Sequence, residues 1–177
     1  MKRTLCVVTI AIVLAPSLSR AQSHSSMPPN MTHEEHLAQM QREAAMKQRG
    51  AAAMGFDQDG VTHHFLLTRD GGAIRVEANK PSDDASRDAI RGHLRQIASE
   101  FARGDFRAPF ATHAEAPDGV GVMQALKSAI QYAFHETPAG GEVRIVTSDK
   151  EALAGVHEFL RYQIREHHTG DPLDVPR

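Results

Sequence analysis

Apolar residues recur along the chain with two periods, and these periods predict its secondary structure. Alternation of apolar and polar residues in "VTHHFLLT" and "AIRVEAN", on either side of the turn sequence "RDGG", predicts a β-hairpin that begins at Val61. A further alternating stretch, "EVRIVTS", predicts a third strand at residues 142–148. Apolar residues at helical spacing predict helices at residues 83–103, 123–134 and 149–168. No internal repeat is apparent in this pattern.

The element order β-β-α-α-β-α predicts an α+β fold. We expect a small antiparallel or mixed three-stranded sheet with helices packed on one face, in a single domain over residues 61–170. The last residues, 171–177, contain two prolines and are expected to fray.

A separate helix is predicted before this domain, within a polar segment rich in Met and His (residues 22–60). Thr32 and Glu35 have the spacing of a capping box, and the helix is expected to cover about residues 32–49 and to stop at Gly50. Its apolar stripe is narrow, so we expect a peripheral helix followed by a linker.

The first 21 residues have the composition of a secretory signal peptide. The basic start "MKR" precedes an apolar run, Leu5 to Ala15, and Ser19 and Ala21 are small residues at the positions that precede a cleavage site. The apolar run is shorter than a membrane span. We therefore expect a periplasmic or secreted protein with no stable membrane anchor after cleavage.

Cleavage would change the charge and remove the single cysteine. Loss of Lys2, Arg3 and Arg20 takes the basic count from 20 to 17 against 22 acidic residues, so the net charge becomes about −5. An anionic protein is a poor candidate for binding nucleic acid. Loss of Cys6 excludes disulfides, zinc fingers and iron–sulfur centres. Any metal would have to be held by His, Met, Asp or Glu.

Histidine and methionine carry the candidate chemistry. The chain has 11 histidines and 7 methionines, and five of these methionines lie between Met27 and Met54. His33, His36 and Met40 share one face of the predicted first helix, at a spacing that lets one ion use two or three of them. Imidazole and thioether are ligands that suit Cu(I) and Cu(II). The alternative is a helix that uses these side chains only for docking.

A second candidate site is predicted inside the domain. His63 and His64 are consecutive on a strand and point to opposite faces, so one of them should be buried. Other histidines lie near apolar stripes or in a loop between helices. The residues that could converge on a pocket between sheet and helices are His64 (or His63), His93, His113, Met123 and His157. The alternative for each histidine is a buried ring satisfied by a backbone carbonyl or a carboxylate.

Most of the chain resembles a group of small exported bacterial proteins to which no role is assigned. The resemblance rests on "MGFDQDGVTHHFLLTRDGGAIRVEAN", "IRGHLRQIASEFARGDFRAPF" and "VHEFLRYQIREHHTGDP", and it covers Met54 to Pro172. Some members carry the label aspartate carbamoyltransferase. This chain contains neither the Ser-Thr-Arg-Thr phosphate loop nor the His-Pro-x-Gln motif of that enzyme. The resemblance therefore implies export and no particular activity.

These features lead to three hypotheses of function. The first is a periplasmic metal-handling protein that binds copper, with zinc ranked second, through His and Met without turnover. The second is a binding module for a non-metal ligand or a periplasmic protein partner. The third is a small exported enzyme, and haem held by a His/Met axial pair is a further alternative. The two histidines of "HEEH" are one residue too close for the metallopeptidase motif, which gives hydrolysis no support.

Overall fold

A computed structural model describes residues 31–177. The predicted signal peptide (residues 1–21), its Cys6 and the polar stretch to Asn30 lie outside the described residues. None of the helices in the described part combines the length and the apolar character needed to cross a membrane.

The described chain forms one four-stranded antiparallel sheet with helices on one face. In chain order the elements are α1 (His33–Met54), a 3₁₀ turn (Gln58–Gly60), β1 (Val61–Thr68), β2 (Gly71–Ala78), α2 (Asp84–Ala102), α3 (Arg107–His113), α4 (Val120–Ala125), a 3₁₀ turn (Lys127–Ala129), β3 (Ile130–Thr137), β4 (Gly140–Thr147) and α5 (Lys150–Glu166). The strand order across the sheet is β1-β2-β4-β3. The predicted α+β class is confirmed, with four strands where three were expected.

The additional strand is β3, which replaces the last five residues of the helix predicted over residues 123–134. That prediction is wrong beyond Ala125, where α4 ends. Ile130, Tyr132 and Phe134 alternate with more exposed residues along β3, as expected for a strand with one buried face. Pairing with β4 satisfies the backbone of this segment, so the tertiary context overrides a helical spacing of apolar residues.

Helix α1 begins as predicted and ends later. Thr32 and Glu35 form the capping box reciprocally, which confirms the predicted start. The helix continues through the buried Gly50 and stops at Gly55, whose left-handed backbone (φ 78°) lets its N–H bond to the carbonyl of Ala51. The alanine run after Gly50 has a high helix propensity, which explains why a single glycine does not end the helix.

The fold contains an internal repeat of two ββα units, which the hydrophobic pattern did not reveal. β1 and β2 begin at Val61 and Gly71, whereas β3 and β4 begin at Ile130 and Gly140, so equivalent strand residues lie 69 positions apart. The hairpin registers match at this displacement. The sequences "GGAIRV" and "GGEVRI" open the second strand of each unit.

The helices of the two units are equivalent at a slightly shorter displacement. Asp83 caps the N-terminus of α2 and Asp149 caps that of α5, which places equivalent helix residues 66 positions apart. Gly104 and Gly170 follow the two helices in left-handed conformations, with φ of 77° and 75°. The same N-cap thus begins both helices, whereas α5 ends earlier, at Glu166, with His167 as its C-cap.

Each helix packs mainly on the hairpin of the other unit. α2 lies against β3 and β4, while α5 lies against β1 and β2 as well as β4. The core between them is made of side chains from both units. Its largest fully buried members are Phe101, Phe159, Ile90, Leu94, Met123, Ile145, Leu160, Val76, Val143 and Val156.

Two equivalent glycines allow β2 and β4 to approach closely at the centre of the sheet. A Cβ on Gly71 would fall far inside van der Waals contact of the carbonyl oxygen of Ile145. A Cβ on Gly140 would do the same at the carbonyl oxygen of Val76, which is the residue equivalent to Ile145. The contact is therefore repeated in both units, and it requires glycine in each.

The C-terminal residues, expected to fray, are instead held against the edge strand β1. The carboxylate of Asp171 accepts the backbone N–H of Phe65 at 2.9 Å. The Arg161 guanidinium donates to the carbonyl of Leu173 at 2.9 Å. The tail thereby covers part of an otherwise unpaired strand edge.

Replacing Gly140 by alanine is expected to lower the free energy of unfolding by about 1–3 kcal/mol, because the new methyl group must displace the backbone of β2. The matched control is Gly121→Ala in α4, where a Cβ meets open space. Urea unfolding followed by circular dichroism measures both. Equal stability of the two variants would contradict the close β2–β4 contact.

Candidate functional site

A small apolar cavity of about 70 Å³ lies between the inner face of the sheet and helices α2, α3 and α5. Most of its lining is aliphatic or aromatic, and the rest consists of four histidines, one methionine and one threonine. The lining residues are Met54, His63, Phe65, Ile74, Val76, His93, Leu94, Ile97, Phe101, Ala108, Pro109, Thr112, His113, Phe159 and His167.

Three of these histidines form a row in which His167 contacts both His63 and His113, and we call the three the histidine wall. The rings of His63 and His167 are nearly parallel, with centroids 5.6 Å apart. The ring of His113 meets that of His167 almost at a right angle, at 5.1 Å. Each ring comes from a different element, since His63 lies on β1, His113 ends α3 and His167 caps α5.

Two of the three wall residues, His63 and His167, have an aromatic residue as their equivalent in the other unit. His167 is equivalent to Phe101, and His63 is equivalent to Tyr132, by the displacements of 66 and 69 residues. Phe101 and Tyr132 contact each other at 5.9 Å, as His63 and His167 do at 5.6 Å. The wall is therefore a polar version of an aromatic contact that the fold makes elsewhere.

Two ring nitrogens of the wall are buried without a hydrogen-bond partner among the described residues. They are Nε2 of His63 and Nδ1 of His113. Nε2 of His113 lies 3.1 Å from the Oε1 atom of Gln163. An amide oxygen can only accept, so Nε2 carries the proton and Nδ1 presents a lone pair. An unsatisfied buried polar atom costs about 1–3 kcal/mol. Three other buried side-chain atoms of the described residues also lack a partner: the hydroxyls of Tyr132 and Thr137 and the amide nitrogen of Gln163.

Burial keeps the histidines of the cavity neutral. Burial, together with the smaller effect of neighbouring imidazoles, lowers the pKa of His63 to about 4 and that of His167 to about 3. Burial also lowers the pKa of His93 and of His113, although the hydrogen bond to Gln163 opposes the shift in His113. At neutral pH these rings therefore offer lone pairs instead of positive charge.

The structure brings two of the predicted domain residues to the cavity, His93 and His113. His113 belongs to the wall. His93 lies on α2 and meets the ring of Phe56 edge-on at 5.8 Å. The sequence pattern did not identify two cavity residues, Met54, which it assigned to a linker, and His167, which lies in the helix predicted over residues 149–168. Alignment of the two units would have revealed His167, because its equivalent Phe101 lies on the apolar stripe of α2.

The other three predicted domain residues do not reach the cavity, which corrects the expected convergence. His64 faces the opposite side of the sheet from His63, and its Nδ1 lies 2.9 Å from the Asp171 carboxylate. The ring of His157 lies 2.9 and 3.0 Å from two backbone carbonyl oxygens at the β1–β2 turn. Met123 is fully buried in the core and does not line the cavity. A carboxylate or carbonyl partner thus accounts for His64 and His157.

The predicted surface set stays on α1, away from the cavity. His33 is exposed, His36 is half-buried, and Met40 has half of its surface exposed. Helix α1 contributes Met54 to the cavity instead.

The donors present restrict the metals that the cavity could hold. Within the described chain, its lining contains no carboxylate and no cysteine. Among residues 31–177, no group of three or more His, Cys, Asp or Glu side chains has the arrangement of a metal site. The imidazoles of the cavity and the thioether of Met54 would together form a set of neutral donors that are soft or borderline in character.

Comparisons of the chain with protein-family models, with curated proteins and with solved structures give no match. A function for the chain therefore has to be inferred from the geometry of the site.

The depressed histidine pKa values predict acid sensitivity. Below pH 6.5, the ordinary imidazole pKa, His63 and His167 become protonated in the unfolded chain. In the folded chain both stay neutral until the pH falls to about 4. Stability should therefore be full above pH 6.5 and fall as the pH decreases toward 4. His167→Phe, which introduces the residue of the equivalent position into the wall, should reduce this slope.

Urea midpoints between pH 4 and 8 test this expectation, with His135→Gln on the exposed face of β3 as the control. A parent slope that is flat in this range, or one that His167→Phe leaves unchanged, would show that the wall is not buried in neutral form.

Proposed function

We propose that this chain is a copper-handling protein of the periplasm, which binds Cu(I) at the histidine wall without chemical turnover. The observation that carries the proposal is the pair of buried ring nitrogens on His63 and His113 that lack a partner among the described residues, and whose rings both contact His167. A metal ion would satisfy these lone pairs, and neutral imidazole is the form that binds metals.

The surroundings of the wall favour Cu(I) over harder ions. The lining is apolar and includes the thioether of Met54, and none of its described residues is a carboxylate. Soft and borderline donors select Cu(I), whereas Mg²⁺ and Ca²⁺ require oxygen ligands. Structural zinc sites use four protein ligands in tetrahedral arrangement, which is more than the wall supplies from histidine alone. Zinc therefore remains the second choice.

His63 and His113 would hold the ion through their two nitrogens that lack a partner among the described residues, with Met54 as the additional donor and His167 as the ring between them. Bound copper would supply no reaction in this proposal, which assigns the chain a binding role alone. The chain's own contribution is to keep the imidazoles neutral and to surround them with apolar side chains that exclude water. In the same proposal, His33, His36 and Met40 on the surface of α1 collect copper from the periplasm.

The alternatives find less support in the cavity. Pockets that hold organic ligands measure about 300–1,000 Å³. The cavity, at about 70 Å³, is several times smaller and suits an ion or a few water molecules. An enzyme requires a nucleophile or an acid–base pair near the substrate. The one hydroxyl in the described cavity lining, on Thr112, is engaged with the carbonyl of Ala108 at 3.1 Å.

Anaerobic titration with Cu(I) against a chromogenic Cu(I) chelator tests the proposal. The unaltered chain is expected to bind one Cu(I) ion, and His63→Tyr and His167→Phe are each expected to weaken binding about 10–100-fold or more. Both substitutions introduce the residue of the equivalent position in the other unit, so the fold already accommodates these side chains at such sites.

Matched controls separate the wall from the surface helix. His135→Gln should leave the affinity unchanged, and the double variant His33→Ala/His36→Ala should retain the tight site. Failure of the unaltered chain to bind Cu(I), or wall variants that bind as the parent does, would refute the proposal.

A further inference from the structure

The histidine wall separates the inner cavity from an outer groove. The groove lies between α1 and the end of α5, and both of its halves are lined by Glu43, Met46, Glu166 and His168. His113 lines both the inner cavity and one half of this groove, and His63 and His167 line both the cavity and the other half. The three residues of the wall therefore border both the cavity and the groove.

The outer groove carries donors of a different character from those of the cavity. Met46 supplies a thioether, His168 an exposed imidazole, and Glu43 and Glu166 supply carboxylates. Of the basic side chains around it, Lys47 is paired with Asp59 at 2.6 Å. The guanidinium of Arg49 donates to the carbonyl of Thr112 at 3.0 Å, and Arg42 also borders the groove.

Met46 lies at the point where the two halves of the groove meet. It lines the half that exposes His113 and also the half that exposes His63 and His167. His168 lines both halves too, and its Nε2 lies 3.4 Å from the Glu43 carboxylate on α1. A thioether and an imidazole thus lie on the outer side of the wall, which faces solvent.

We propose that the outer groove is the exchange site of the protein, where Met46 and His168 hold a Cu(I) ion transiently on its way to and from the histidine wall. This inference rests on the proposed function. A ligand-by-ligand transfer avoids releasing a bare ion into the apolar cavity, where an uncompensated charge is costly. Each new donor binds before the previous one leaves.

The test is the rate at which the copper-loaded full-length chain transfers Cu(I) to an excess of chromogenic chelator, followed by stopped-flow absorbance. Met46→Leu keeps the volume of the side chain and removes its sulfur, and His168→Gln removes the imidazole. Both are expected to slow the transfer several-fold while leaving the dissociation constant unchanged, because they remove a transient donor and no ligand of the resting site.

Two controls isolate the donors. Met123→Leu removes a thioether that is buried in the core and lies outside both the cavity and the groove, so it should transfer at the parent rate. Glu43→Gln removes the carboxylate beside His168 and leaves both donors, so it should not slow the transfer.

The outcomes separate the two proposals. Tight Cu(I) binding with parent-like transfer by Met46→Leu and His168→Gln would overturn the exchange route alone. Equal slowing by Met123→Leu would also overturn it. Absence of Cu(I) binding by the unaltered chain would overturn the proposed function, and the exchange route with it.

Discussion

Each central helix of this protein packs against the hairpin of the other ββα unit, and the rest of the architecture depends on this exchange. α2 covers β3 and β4, and α5 covers β1 and β2. Each helix also contacts one strand of its own unit, α2 at β2 and α5 at β4, so the two units share one core. The close approach of β2 and β4, which Gly71 and Gly140 permit, joins the two hairpins into one sheet. The histidine wall results from the same exchange, because His63 comes from the first hairpin and His167 follows the second helix.

The two units use the same backbone positions for different purposes. Phe101 of the first unit and Tyr132 of the second form an aromatic contact that contributes to the core. At the equivalent positions stand His167 of the second unit and His63 of the first, and Gln163 stands where the first unit has Ile97. Replacing apolar side chains by buried polar ones lowers stability unless every polar atom is satisfied. Phe101 and Tyr132 show that the fold can place aromatic residues at these positions. Histidines that replace them at a cost in stability are therefore the feature on which the proposed copper site rests.

Sequence reasoning succeeded where local signals agree with the tertiary structure. The capping box of α1, the first hairpin and α2 with its terminal Gly104 follow from turn and cap chemistry. It failed at β3, because apolar residues at helical spacing also alternate in the strand Ile130–Thr137, and pairing with β4 decides between the two. The alternation in β1 required one of two histidines to be buried but did not identify which. His63 shares its face of β1 with Phe65 and Leu67, and these two apolar neighbours were the available signal that His63 points toward the core.

The surface helix α1 is attached to the domain by Met54, which packs on the core, by its packing against α3, and by polar contacts. Its contacts to the domain include the ion pair of Lys47 with Asp59, the hydrogen bond from Arg49 to a backbone carbonyl, and the contact of Glu43 with His168. Such exposed polar contacts contribute little individually, whereas α2 and α5 are held by fully buried apolar side chains. Opening of α1 should therefore require much less free energy than separation of the central helices. Because α1 borders the groove outside the histidine wall, access to the buried imidazoles can change while the core that positions them stays intact.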